Sequence, residues 1–246
     1  MSEGSRAYFD EAAPRWDALR KSFFSDAVRD KALSAAGVRP GGAAEANIGN
    51  PLREERKMKK SIGPKTILYP TPVMAVGTYD GNGKPNVMTA AWGGICCSSP
   101  PCVAVSLRKA TWTYGAVMAR KCFTISIPSE KYAREADFFG IATGRKTDKF
   151  ADTGLTPERS DVVDAPYVKE FPLVLECRLI HTLEIGLHTQ FVGEIVDLKA
   201  DPSVLTEDGS PDIEKVRPIL YGPENGYYFG LGQKLGKAFS IGMGFR

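Results

Sequence analysis

The sequence predicts a mainly β protein, a small closed barrel with short helical excursions, preceded by an N-terminal helical appendage. Many short apolar segments with strand character follow residue 60, and few helical patterns interrupt them. These segments lack the regular strand–helix alternation of a parallel sheet, which favours an antiparallel barrel. The chain of 246 residues is long enough for one large domain, or for one domain with an appendage, without disulfide or metal support.

The appendage is predicted from helical periodicity near the N-terminus. Phe9, Trp16 and Phe23 recur at helical spacing, and a second helix is expected to end at Gly37. A stretch rich in Gly, Ala, Asn and Pro follows over residues 39–51 and marks the best domain boundary in the sequence. We therefore divide the chain into a helical appendage with its linker, residues 1–50, and a barrel domain, residues 51–246.

The barrel domain opens with a strong hairpin signal. Two strand-like segments, residues 73–79 and 86–92, flank the turn sequence Asp80-Gly81-Asn82-Gly83. Other predicted strands are 102–107, 123–127, a long pair at 173–185 and 191–198 broken near Gly186, and 227–229. Short helices are predicted at 114–121, 130–139 and 146–151.

Composition and charge exclude several function classes. The formal net charge is +3, and no basic run is long enough to serve as a nucleic-acid-binding arm. No apolar stretch reaches the length of a membrane span, and the N-terminus lacks the pattern of a signal peptide. Five cysteines without C-x-x-C spacing fit reduced thiols in a cytoplasm better than a metal or disulfide framework. We expect a cytoplasmic protein with no metal, no nucleic-acid partner and no membrane partner.

Several catalytic motifs are absent from the sequence. There is no G-x-S-x-G, no H-E-x-x-H and no phosphate-binding G-x-x-x-x-G-K-[ST]. The only histidines, His181 and His188, lie in a predicted strand region, which makes a catalytic triad hard to build. An enzyme of this composition is expected to let a cofactor carry the reaction.

One segment has the features of an anion site. After the strand that ends near Ser106, Arg108 and Lys109 precede the hydroxyls of Thr111 and Thr113, where a helix should begin. Free backbone N–H groups at a helix start attract anions, and an arginine can bind a phosphate through two hydrogen bonds. A capped surface helix with basic neighbours would give the same pattern, and the residues alone leave both readings open.

A second segment could hold a flat ring. Small residues accompany Trp92 over residues 85–94, while Asn86 and Thr89 offer hydrogen bonds to ring heteroatoms. A strand with a buried tryptophan and a glycine bulge explains the same residues. His188, after Gly186, is a better candidate for a ligand contact than His181.

Several motifs together resemble one family. The segments concerned are Gly77–Asp80, Asn86–Trp92, Ser99–Ser106, Arg108–Thr111, Asp148–Phe150, His188–Ile195 and Gly236–Ser240. Through them, from about Lys59 to the C-terminus, the sequence is similar to the flavin reductase-like, flavoredoxin-type family of FMN-binding split β-barrels.

The resemblance implies a homodimer with FMN near the subunit interface. Hydride would pass from NAD(P)H to the flavin, and electrons would continue to a small-molecule or protein acceptor, as in flavin or ferric reductases. His188 would lie near the flavin or the nicotinamide as the catalytic residue. The implied cofactor-binding residues are Asn86, Val87, Met88, Thr89, Ala90, Ala91 and Trp92 for the ring and ribityl chain, Ser106, Leu107, Arg108, Lys109, Thr111 and Thr113 for the phosphate, Lys149 for additional charge, and His188.

Two other functions remain open on the sequence. The same residues would serve a non-enzymatic FMN electron carrier of the flavoredoxin type, or a binding or sensing protein in which FMN is structural. Cys96 and Cys97 follow the ring-binding stretch and could join in reducing an acceptor, although small buried hydrophobic residues are the simpler interpretation.

The N-terminal segment resembles a different family. Residues 8–17 are similar to the leading helices of class I S-adenosylmethionine-dependent methyltransferases. The Gly-rich loop of that family is missing, since residues 44–50 stand in its place, so we expect no methyltransferase activity. We expect these helices to pack on the barrel or on the dimer partner, because Trp16 and Phe23 need burial.

Overall fold

The computed structural model of the chain describes residues 59–243, and these residues build a mainly β fold. The predicted N-terminal helices and the boundary near residue 50 lie outside the described residues. The strands are β1 (Thr71–Pro72), β2 (Met74–Tyr79), β3 (Pro85–Ala90), β4 (Gly93–Ser98), β5 (Pro101–Arg108), β6 (Cys122–Ile127), β7 (Pro157–Arg159), β8 (Pro166–Val168), β9 (Leu173–Ile185), β10 (His188–Ala200), β11 (Leu220–Gly222) and β12 (Tyr227–Phe229). The α-helices are α1 (Trp112–Arg120), α2 (Ala133–Ile141), α3 (Lys149–Thr153) and α4 (Ile213–Val216), with 3₁₀ turns at Glu130–Tyr132 and Pro202–Val204.

Seven strands form one antiparallel sheet in the order β3-β2-β6-β9-β10-β5-β4. Its first and last strands, β3 and β4, are consecutive in the chain and are separated only by Ala91 and Trp92. Two residues cannot span the width of a flat seven-stranded sheet, so the sheet must curl until these edges meet. The result is a barrel whose two edge strands are joined at the Ala91–Trp92 corner.

The barrel interior is filled by alternating side chains of its strands. The core contains Met74, Val76, Val103, Val105, Leu107, Phe123, Ile125, Leu175, Cys177 and Phe191. Helix α1 closes one end: Val117 is fully buried in this core, and the ring of Tyr114 meets Phe191 edge-on at 5.4 Å. A second core under helices α2 and α3 contains Val73, Ala75, Val87, Phe139, Phe150, Val168 and Phe171.

The predicted hairpin at residues 73–92 is present, with one correction at its end. Strands β2 and β3 pair, and the Asp80 carboxylate accepts hydrogen bonds from the backbone N–H groups of Asn82 and Lys84 at 2.8 and 2.9 Å. Gly83 adopts a φ of +79°, which glycine tolerates best. Strand β3 ends at Ala90 rather than at Trp92, because the chain turns there into β4, which begins at Gly93.

The long pair predicted at 173–198 forms the β9–β10 hairpin, which extends to Ala200 and turns at Gly186 with a φ of +50°. Most of the other predicted strands are also present, and the strand at Tyr227–Phe229 has the predicted bounds. The helix predicted at 146–151 begins only at Lys149, because the Asp148 side chain caps it by accepting from the N–H of Ala151. Strands β1, β4, β7, β8 and β11 and helix α4 were not predicted. Within residues 59–243, no helix has the length and apolar character needed to cross a bilayer.

Candidate functional site

The turn from β5 into α1 presents cations beside a helix start. Arg108 is exposed at the end of β5, whereas Leu107 points into the barrel core. The Thr111 hydroxyl and N–H donate to the Arg108 carbonyl at 2.8 and 2.9 Å, which tightens the turn. The hydroxyl therefore does not cap the helix, and the first turn of α1 contains no acidic residue. The backbone N–H groups of this turn are left for an anion.

One cavity, the junction cavity, lies between α1 and the β2–β3 hairpin and has a volume of about 540 Å³. The Arg145 guanidinium sits 5.4 Å from the centre of the Trp112 ring, a cation–π arrangement that forms one wall. Lys109 is exposed on this cavity and makes a 2.7 Å ion pair with Glu184 near the tip of β9. That carboxylate raises the pKa of Lys109, mainly through the hydrogen bond, so Lys109 is positively charged. Other lining residues are Tyr79, Asp80, Gly81, Thr111, Tyr114, Gly115, Ala116, Ala119 and Arg120.

A second cavity, the Trp92 cavity, opens on the outer face of the sheet with a volume of about 430 Å³. Its walls combine a large aromatic ring, apolar side chains and a few polar groups: Lys65, Thr66, Ile67, Leu68, Trp92, Ser106, Ile185 and His188. Trp92 is held at this position because the Ser106 N–H donates to its carbonyl at 2.8 Å. An apolar pocket with a few placed polar groups is the usual form of a small-molecule site.

The sheet register places the β5–α1 turn beside the Trp92 cavity. Ser106 faces Gln190 and Arg108 faces His188 across the β5–β10 ladder. Side chains two residues apart on a strand share a face, so Ser106, Arg108 and His188 lie on the same outer surface. The turn that carries Arg108 therefore adjoins the aromatic-walled cavity that Ser106 and His188 line.

Asn86 and Thr113 are both buried and bind each other. The Asn86 amide nitrogen donates to the Thr113 hydroxyl at 3.0 Å, which ties the start of β3 to the first turn of α1. A Cβ at Gly144 would clash with the Asn86 side chain and would lie 2.8 Å from Trp112 Cδ1, so only glycine fits there. The structure therefore gives this pair a role in aligning the two elements that border the junction cavity.

The remaining residues of the β3 segment divide between several environments. Val87 lies in the second core, Met88 and Ala90 pack on the barrel core, and the Thr89 hydroxyl donates to the Ala136 carbonyl. Ala91 and Trp92 form the corner that joins β3 to β4. Thr89, Ala90 and Ala91 also border a small cavity of about 280 Å³ beside α2.

The ammonium group of Lys149 points into the protein. It donates to the carbonyls of Val87 at 2.8 Å and Phe139 at 2.7 Å, so it joins β3 to α2. Burial lowers its pKa to about 8. The phosphate contact that the sequence suggested for Lys149 therefore has no support in this arrangement, in which the group faces two backbone carbonyls.

Several cavity residues were not anticipated from the sequence. Arg145, Tyr79 and the segment Lys65–Leu68 belong to none of the motifs that indicate a binding role in the sequence. Their placement depends on contacts between segments distant in sequence, as with Arg145 over Trp112. The exposed apolar pair Ile67–Leu68 beside a lysine is the one local signal that could have drawn attention to the segment.

Comparison with known proteins identifies the family. The flavin reductase like domain matches residues 66–227, so the chain belongs to that family. The solved structure of flavoredoxin from Desulfovibrio vulgaris (Miyazaki F) is 56% identical, with a TM-score of 0.72, covering 75% of this chain and 100% of that one. Flavoredoxin from Methanosarcina acetivorans is 28% identical, with the same TM-score, covering 77% of this chain and 100% of that one.

A curated relative is part of an enzyme system. The reductase component of 4-nitrophenol 4-monooxygenase/4-nitrocatechol 2-monooxygenase from Rhodococcus opacus is 34% identical over 125 residues, covering 46% of this chain and 64% of that protein. The family match confirms the predicted family, and the likeness to a flavin reductase structure with a split barrel domain from Shewanella frigidimarina, 24% identical with a TM-score of 0.62 over 68% of this chain and 84% of that one, confirms the predicted split-barrel fold.

Proposed function

We propose that this chain is an FMN-binding oxidoreductase that accepts hydride from NAD(P)H and passes electrons to a small-molecule or protein acceptor. One observation carries the proposal: the uncapped start of α1, with Arg108 beside it, adjoins the Trp92 cavity. The donor set suits a phosphate, because it combines backbone N–H groups, a guanidinium and the Ser106 hydroxyl. The apolar cavity wall suits a flat ring.

The residues that would hold the cofactor divide into two groups. Ser106, Arg108, Lys109 and the N–H groups of the first turn of α1 would bind the phosphate, while Thr111, whose hydroxyl and N–H both donate to the Arg108 carbonyl, would hold the turn in shape. Trp92, Ala91 and the backbone of the β3 segment would border the ring, with Asn86 and Thr113 aligning the two groups. When bound, FMN supplies the hydride-accepting and electron-donating chemistry.

The protein contributes orientation and exclusion of water. Ile67, Leu68 and Trp92 form an apolar wall that would shield the ring edge. Cations at the phosphate end stabilise a negatively charged ligand. His188, on the wall of the Trp92 cavity, would hold a hydrogen bond from an imidazole nitrogen to the ring edge or the nicotinamide, and we propose it as the catalytic residue that aligns the two rings.

We also propose a homodimer with FMN near the interface. The Trp92 cavity is surrounded by exposed apolar side chains, among them Leu68, Leu183, Ile185 and Leu187. Such a cluster on a protein surface marks a site of association. A second copy placed here would complete the walls of the cavity.

A second candidate function is an electron carrier without NAD(P)H turnover. It is favoured by the 56% identity with a flavoredoxin, a higher likeness than that to the monooxygenase reductase component. The phosphate and ring contacts would be the same. The two functions differ only in whether a nicotinamide can reach the ring.

The test is reconstitution with FMN followed by anaerobic addition of NADH or NADPH. The reductase proposal predicts retained flavin absorption after gel filtration and its bleaching by at least one nicotinamide, with free FMN as the control. A second outcome is retained flavin that a protein electron donor reduces but neither nicotinamide bleaches. That result would support the electron-carrier function and contradict the reductase function. A preparation that binds no FMN would overturn both.

A further inference from the structure

Two cysteines face each other on the β4–β5 hairpin, away from the cavities. A register shift between Ile95 and Cys97 leaves Cys96 as the extra residue of a bulge, so Cys97 lies directly opposite Cys102. Cys97 is exposed, whereas Cys102 is only 3% exposed. Side chains of residues that face each other in a ladder share one side of the sheet.

The geometry of such a pair suits a disulfide. Facing residues in an antiparallel ladder have Cα atoms about 4.5 to 5.5 Å apart. Disulfides span Cα distances of roughly 4.4 to 6.8 Å. The bond could therefore close with little movement of the backbone.

We propose that Cys97 and Cys102 form a redox-active dithiol that closes to a disulfide by exchange with small aliphatic disulfides. Cys97 is the attacking group because solvent reaches it. Cys102 is the resolving group, because burial, followed by the charges of Cys97 and Cys96, raises the pKa of its thiol. A thiol with a raised pKa is a poor first nucleophile, but it can attack a neighbour held beside it.

The exchange runs in two balanced steps. The Cys97 thiol gives its proton to water, its thiolate attacks one sulfur of the small disulfide, and the other sulfur leaves as a thiolate that takes up a proton. The Cys102 thiol then loses its proton and attacks Cys97 Sγ, which releases the second small thiol. The protein loses two hydrogen atoms, and one small disulfide becomes two thiols.

This reaction is independent of the proposed flavin site. Cys97 lies four residues beyond Gly93 along β4, or about 13 Å at the rise of a strand. Cys97 also lines neither the junction cavity nor the Trp92 cavity, so the exchange needs no contact with a ring beside Trp92. Failure of the flavin proposal would leave the cysteine proposal untouched, and the reverse holds as well.

The test counts free thiols by alkylation and intact mass. The full-length reduced protein, with its five cysteines, is incubated with oxidised glutathione and then alkylated in denaturant. We expect Cys97 and Cys102 to escape alkylation together, with no glutathione attached to either. Cys96→Ser, the matched control, should behave in the same way. Cys97→Ser should lose no pair of alkylatable thiols. Cys102→Ala should retain a stable glutathione adduct on Cys97.

Three results would overturn the proposal. They are five alkylated thiols in the wild type, a lasting adduct on Cys97 with Cys102 still alkylated, or loss of a thiol pair in Cys97→Ser. Circular dichroism shows which variants are folded. If Cys102→Ala does not fold, the comparison of Cys96→Ser with Cys97→Ser decides the question, because both change an exposed residue on the same strand.

Discussion

Arg108 is an exposed guanidinium at the end of β5, beside the uncapped start of α1. We predict that Arg108→Ala weakens FMN binding roughly ten- to hundredfold, because a hydrogen bond to a charged group contributes about 1.5–3 kcal/mol. Fluorescence titration of FMN measures the change in Kd. Lys169→Ala, which removes an exposed cation paired with Glu158 elsewhere on the surface, should leave the Kd unchanged. Equal affinity in Arg108→Ala and the wild type would remove Arg108 from the phosphate site.

His188 offers a second test at the level of single residues. It lines the Trp92 cavity, whereas His181, the other histidine, is exposed on β9. We predict that His188→Gln slows reduction of bound flavin by NAD(P)H roughly tenfold or more through loss of alignment, with little change in the Kd for FMN. His181→Gln should behave as the wild type. Stopped-flow absorption measures the rate, and equal rates in the two variants would contradict the role of His188.

Lys149 makes stability depend on pH. Burial lowers its pKa from an ordinary value of 10.5 to about 8. Below pH 8 both folded and unfolded states are protonated. Above it the folded state releases the proton first, so the unfolded state binds more protons and the free energy of unfolding rises with pH up to about 10.5. The neutral amine keeps two N–H groups for its two carbonyl acceptors.

The measurement is urea denaturation of the wild type and of Lys149→Met at a series of pH values from below 8 to about 10.5. The wild type should gain up to roughly 3 kcal/mol relative to the variant between pH 8 and 10.5, at about 1.4 kcal/mol for each unit of pKa. A constant difference between the two proteins across the range would show that Lys149 keeps its proton in the folded state.

The local sequence indicated some site residues and not others. Ser106, Arg108, Trp92 and His188 could be found because a strand end, a helix start and a tryptophan among small residues each have a local signature. The wall formed by Arg145 and Trp112 could not, because the two residues are 33 positions apart and meet only through the fold. The same holds for Lys149, whose acceptors lie on β3 and α2.

At the level of elements, β4 shows why pairing can override composition. Its sequence Gly-Gly-Ile-Cys-Cys-Ser reads as a loop, and the strand exists because it pairs with β5. The β2–β3 hairpin was easy to predict because its turn and its strands give local signals. The register that places Ser106 beside Trp92 depends on a non-local ladder and could not be read from the sequence.

A substitution at Gly93 tests the pairing of β4 with β5. A Cβ at Gly93 would clash with the Ala104 carbonyl oxygen and would lie 2.7 Å from Met74 Cε, so Gly93→Ala must push β4 away from β5. We predict a loss of about 1–3 kcal/mol in the free energy of unfolding, in the range of other overpacked sites. Gly94→Ala, one residue further along, has open space around its Cβ and should cost much less. Chemical denaturation measures the free energy of unfolding of both variants. Equal values for Gly93→Ala and Gly94→Ala would show that β4 and β5 separate without loss of stability.

At the level of the whole molecule, the barrel geometry places the site. The strand order ends at β3 and β4, and the two-residue connection between them joins these edges at the Ala91–Trp92 corner. The β5–α1 turn reaches the same corner because Ser106 donates to the Trp92 carbonyl. One closure of the sheet therefore brings the Trp92 cavity and the proposed phosphate site together from segments that are far apart in the chain.

This assembly predicts that FMN stabilises the entire fold. A ligand that binds only the folded state adds about 2.7 kcal/mol at a concentration of one hundred times its Kd. For a domain of this size that corresponds to a rise in Tm of roughly 5–10 °C. Differential scanning calorimetry over a series of FMN concentrations should show a Tm that increases with the logarithm of concentration. Arg108→Ala should need a higher concentration for the same rise, because its Kd is higher. A Tm that does not move with FMN would mean that the corner at Trp92 and the turn at Arg108 do not act together as one binding site.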